Sequence, residues 1–159
     1  MDLFSIISKN KIVICRGDCM KNIKFNIYGL LLFFIIMIPN LIWFMIKAPN
    51  DILRVESVTP TLDLIASIFQ IIMIVFLCFS KNEDNKFNIY SIIGVILYFL
   101  CWILYYLGIT NNVVIIGLCL FPCLSFLFYE AKIKNWIAMI PTIMFTILHL
   151  LYGFINFTQ

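Results

Sequence analysis

Of 159 residues, 64% are hydrophobic and only 12% charged, and the formal net charge is +3. A soluble domain carries about a quarter of its residues as Asp, Glu, Lys and Arg, so this composition excludes an ordinary soluble fold. No nucleic acid partner is expected either, because the few basic residues flank apolar runs, where they set membrane orientation and meet lipid headgroups.

The apolar residues gather into five long blocks. They do not alternate with polar residues as barrel strands would, and helices are the remaining way to satisfy the backbone in lipid. The expected fold class is therefore all-α: a polytopic integral membrane protein, a bundle of five transmembrane helices over about 25–46, 60–79, 87–107, 113–129 and 136–157. They form a single domain, 23–159, behind a short cytoplasmic segment, 1–22.

That leading segment is irregular. LFSII and KIVIC are too short and interrupted to span. Met20 opens MKNIKFNIYG, a natural beginning for a membrane protein, so residues 1–19 are expected to be either a cytoplasmic tail or an extension foreign to the native chain. The first block, FNIYGLLLFFIIMIPNLIWFMI, is uncharged and, at about 1.5 Å per residue, long enough to cross a bilayer. The longest connection follows, and Thr59 before Pro60 reads as an N-cap hydroxyl with proline at the first helical position. SKNEDNK, GITNN and EAKIKN separate the remaining blocks.

Basic residues orient the chain. With the N-terminus cytoplasmic, Lys9, Lys11, Arg16, Lys21 and Lys24 lie inside, as do Lys81, Lys86, Lys132 and Lys134, whereas only Lys47 and Arg54 lie outside. An odd helix number then puts the C-terminus outside. The expected localisation is the cell membrane, multi-pass.

Six cysteines suggest no disulfide framework. Cys78, Cys101, Cys119 and Cys123 lie in or beside apolar runs, where a thiol behaves as a small hydrophobe. Cys15 and Cys19 lack partner ligands for zinc and lack the CxxC spacing of redox pairs. No metal or cofactor is expected, and no nucleotide, hydrolase or metalloprotease motif is present, which weighs against an enzyme.

Polar residues concentrate in the expected outer half. Asn40 follows Pro39 in the first helix, Asp63 opens the second, and His149 lies in the outer part of the fifth. Tyr105 and Tyr106 end the third on the same side. Asp63, Ser67 and Gln70 share one helical face, and Thr142, Thr146, His149 and Gly153 form a similar stripe. Polar stripes in lipid turn towards each other or towards water, which predicts an outward-opening vestibule lined by helices one, two and five. The candidate ligand-binding residues are Asn40, Asp63, Gln70, Tyr105, Tyr106 and His149, with Asp63 and His149 as a titratable pair. Glu130 is expected at the inner interface, paired with a lysine.

The expected function is binding or translocation of a lipophilic or amphipathic small molecule, or a membrane lipid. Alternatives are a non-catalytic accessory subunit, working with a partner membrane protein or as a homodimer, and a membrane enzyme using Asp63 and His149 as acid and base.

Overall fold

The computed structural model describes residues 24–80 and 86–157. The segment expected over 1–22, with Cys15, Cys19 and Met20, lies outside the described residues. Among the described residues, five helices are long and apolar enough to cross a membrane, with mean hydropathy between 1.8 and 2.2. They are α1 (Ile27–Met45), α2 (Pro60–Leu77), α3 (Ile89–Tyr106), α4 (Asn112–Lys132) and α5 (Trp136–Phe157). A 3-10 turn, Ile52–Arg54, lies in the α1–α2 loop, and β1 (Lys24–Phe25) pairs antiparallel with β2 (Phe79–Ser80).

Asparagines start most of these helices. Asn26, Asn88 and Asn111 each accept a hydrogen bond from a first-turn amide of α1, α3 and α4, and Asn135 accepts from Ala138 N at the start of α5. The expected Thr59 cap is corrected: its side chain makes no capping bond and its hydroxyl accepts from Asn156 Nδ2 at 2.7 Å instead. Both tight turns close as Schellman motifs. After α3, Gly108 N donates to Tyr105 O and Ile109 N to Leu104 O, with Gly108 at φ 86°. After α4, Lys134 N donates to Ala131 O and Asn135 N to Glu130 O, and Lys134 takes the left-handed position at φ 53°. Tyr129 and Glu130 are buried, so α4 runs past the expected end at 129 to Lys132.

α3 packs along α4, α4 along α5, and α5 along α2, whereas α1 touches α2, α3 and α4 only sparsely. The four closely packed helices form an arc, and α1 spans the gap between its ends. Small residues permit the close approaches. A Cβ on Gly94 would lie 2.3 Å from Ser125 Oγ, one on Gly117 2.6 Å from Cys101 Sγ, and one on Gly153 2.6 Å from Cys119 Sγ.

Each end of the bundle is tied by a polar knot. At the end carrying β1 and β2, Asn26 is fully buried. Its Nδ2 donates to Leu77 O at 3.1 Å, and its Oδ1 accepts from Gly29 N at 3.1 Å and from the Tyr129 hydroxyl at 2.8 Å. Asn135 Nδ2 donates to Phe76 O and Phe79 O nearby. At the opposite end, Asp51 Oδ1 accepts from Trp43 Nε1 and from the Tyr105 hydroxyl, both at 2.8 Å, and Oδ2 from Arg54 Nε at 2.7 Å. Asn156 holds the rest of that loop, accepting from Val58 N and the Ser57 hydroxyl. These knots place the 46–59 loop, the 107–111 turn and the α5 C-terminus together, so successive helices run antiparallel.

Glu130 departs from its expected place. It is fully buried and accepts from Thr142 Oγ1 at 2.7 Å, while Lys132 Nζ donates to the Lys86 and Phe87 carbonyls. Glu130 continues the α4 stripe of Cys119, Cys123 and Phe126 at helical spacing, so its side chain turns inward with them.

Candidate functional site

Because α1 stands off from the arc, a cavity of about 410 Å³ remains in the bundle half that carries the 46–59 loop. That volume lies within the size range of small-molecule sites, about 300–1,000 Å³. All five helices line it. α1 presents Asn40 and Trp43, α2 presents Asp63, Ser67 and Gln70, and α5 presents Phe145, His149 and Tyr152. α3 adds Tyr98 and Trp102, and α4 adds the apolar floor from Ile115 to Phe126.

Four of the six candidate residues thus border one space: Asn40, Asp63, Gln70 and His149. Helical spacing explains the α2 contribution, since residues 63, 67 and 70 lie on one face, with the buried Ala66 between them also on the cavity wall. The His149 ring stacks on Phe145, with centroids 5.0 Å apart and planes at 18°. Asp63 lies within electrostatic reach of His149, yet no hydrogen bond or ion pair joins them. Asn40 Nδ2 makes only long contacts, 3.5 Å to Ile36 O and 3.8 Å to Met37 Sδ.

Tyr105 and Tyr106 do not line the cavity. Tyr105 is fully buried, donating to Asp51 and accepting from Leu53 N at 3.2 Å, and the Tyr106 hydroxyl donates to Ile46 O at 2.8 Å. They fasten the α1–α2 loop at this end of the bundle. Arg54 completes this clasp, donating to the Trp43 carbonyl with its guanidinium 4.8 Å from the Trp43 ring centroid. Burial pushes the Asp51 carboxyl up, but the hydrogen bonds from Trp43, Tyr105 and Arg54 together outweigh it and hold the carboxyl below its ordinary value.

Hydrogen bonding separates the cavity from the rest of the bundle. Asn26, Ser125, Asn135, Thr142, Thr146 and Asn156 all have partners. Asp63, Ser67, Gln70 and His149 make no side-chain hydrogen bond among the described residues. On the cavity wall, the buried Trp102 Nε1 also lacks a partner, although Tyr98 interacts with both Trp102 and Asn40. Outside it, only the Ser91 hydroxyl and one Glu130 oxygen are buried and unsatisfied among the described side chains.

The aromatic wall escaped sequence reasoning. Tyr98 and Trp102 sit four residues apart on α3, the spacing of one helical face, but nothing local indicates that this face turns towards Asp63. Among the described residues no group of three or more His, Cys, Asp and Glu could hold a metal ion. The arrangement suits a ligand with one polar end and an apolar body. Comparison with models of known families, with curated proteins and with solved structures finds no match to this chain.

Proposed function

We propose that this chain is a small multi-pass protein of the cell membrane that binds, or helps to translocate, a lipophilic or amphipathic small molecule in its five-helix cavity. One observation carries the reading: Asp63, Ser67, Gln70 and His149 converge on a 410 Å³ space without satisfying one another. Asp63 is exposed and Ser67, Gln70 and His149 are half-buried, so this polar face is open to water or to a ligand; in a bundle set in lipid, such groups turn towards a polar space because hydrocarbon offers them no hydrogen bonds. Asn40, whose side chain meets Tyr98 and otherwise makes only long contacts, belongs to the same wall.

The cavity opens to the outer side in this reading. Among the described residues, Lys24, Lys86, Lys132 and Lys134 lie at the β1–β2 end and only Lys47 and Arg54 at the cavity end. That bias favours a cytoplasmic β1–β2 end.

Cysteine labelling at residue 70 tests the reading. In a background whose native cysteines are replaced, Gln70→Cys reacts with a membrane-impermeant thiol reagent added outside intact cells. Complete protection, relieved only when a co-purifying membrane protein is removed, overturns the vestibule and makes the polar face a subunit interface.

A further inference from the structure

The chemistry of the cavity wall selects among amphipathic molecules. Among the described residues, Asp63 is its only acid, and no Lys or Arg lines it. Neither carboxylate oxygen of Asp63 is engaged by a protein donor. Of the two basic residues at this end, Arg54 is committed to Asp51 and to the Trp43 and Phe44 carbonyls, and Lys47 is exposed and off the cavity wall. His149 is on the same wall, and its ring lies flat against Phe145.

The charge and the apolar wall also lie at different depths. Asp63 is in the first turn of α2, about 5 Å along the helix axis from its start. Phe126 lies about 20 Å into α4 from the same end of the bundle. Between them stand Tyr98, Trp102, Phe145 and Tyr152, whose ring faces attract cations as well as apolar groups. One carboxylate near the mouth and an aromatic shaft below it complement a molecule with one positive charge and a bulky apolar body.

We propose that the cavity takes a lipophilic organic monocation, its charge set against Asp63 and its body against the aromatic walls. This rests on the cavity being a ligand site, as proposed above. Anionic amphiphiles are rejected by the same carboxylate, with no lysine or arginine on the wall to offset it.

The test uses the full chain in lipid nanodiscs, with protein-free nanodiscs as the partition control. Three aryl probes differ in charge: tetraphenylphosphonium and tetraphenylborate, which match in shape, and the neutral triphenylphosphine, which has one phenyl group fewer. Tetraphenylphosphonium is expected to bind at least tenfold more tightly than tetraphenylborate. Asp63→Asn is expected to weaken tetraphenylphosphonium by about tenfold and leave triphenylphosphine unchanged, while Asp63→Glu retains cation binding. Equal binding of all three probes to the unmodified protein overturns the charge selectivity and leaves the cavity reading standing, and it needs no variant that must fold. Loss of all specific binding, with helicity and monodispersity intact, overturns both.

Discussion

Replacing Asn26 by Ala removes the knot that joins three helices at the β1–β2 end. The side chain is fully buried and makes three hydrogen bonds: to Leu77 O, from Gly29 N and from the Tyr129 hydroxyl. Losing an asparagine N-cap costs about 1 kcal/mol, and two further buried hydrogen bonds contribute roughly 1 kcal/mol each. The expected loss is therefore about 3 kcal/mol, near two powers of ten in the folding equilibrium. The helices approach closely here, since a Cβ on Gly29 would lie 2.8 Å from both Asn26 Nδ2 and Leu77 O. Asn26→Ser keeps an acceptor at the cap but is too short to reach Leu77 and Tyr129, so it recovers only the first of these contributions. Reversible unfolding by SDS in mixed micelles, followed by far-UV circular dichroism, measures both variants. A loss below about 1 kcal/mol for Asn26→Ala, or an equal loss for Ser, refutes the assignment of Asn26 as the tie between α1, α2 and α4.

Other outcomes follow from single contacts. The Asp51 carboxyl is held below its ordinary value of 3.8, so its stabilisation is complete above that pH and is lost as pH falls through the lower folded-state value; the stability difference between the native chain and Asp51→Asn should be flat at neutral pH and shrink only on acidification below about pH 4. Lys134→Gly relieves a left-handed residue that bears a side chain and should stabilise by about 0.5–1 kcal/mol, read as a rise in thermal midpoint. Gly94→Ala drives a methyl to 2.3 Å from Ser125 Oγ and should cost about 1–3 kcal/mol; Ser125→Ala on top of it should recover most of that cost, a non-additivity visible in a double-mutant cycle.

The five spans were legible because each apolar run carries at most one charged residue, Asp63 in the second, and is bounded by asparagine, proline or lysine clusters that cannot continue in lipid. α5 matches its expected bounds, 136–157, and the others differ by a few residues at their ends. Polar periodicity on α2 was also legible, since i, i+4 and i+7 fix a face without any knowledge of the neighbours. Which face of α3 meets that stripe depends on how Gly94 and Gly117 seat α3 on α4, a property of the pair and not of either helix. Tyr105 and Tyr106 have the right depth for the cavity, yet their hydroxyls turn to the loop because Asp51 and the Ile46 carbonyl lie within reach. Asn26 falls inside the span expected over 25–46 but caps α1, and its isolation at the head of an apolar run is the signature of a cap. Glu130 followed the more familiar pattern of an interfacial acid beside lysines, while the stripe from Cys119 through Cys123 and Phe126 pointed inward.

Native mass spectrometry of the protein, gently solubilised from its own membrane, tests the cavity most directly. The account predicts a retained small molecule that is lost in Asp63→Ala and His149→Ala variants of unchanged helicity. A stoichiometric second polypeptide with no small molecule, unaffected by either substitution, contradicts it.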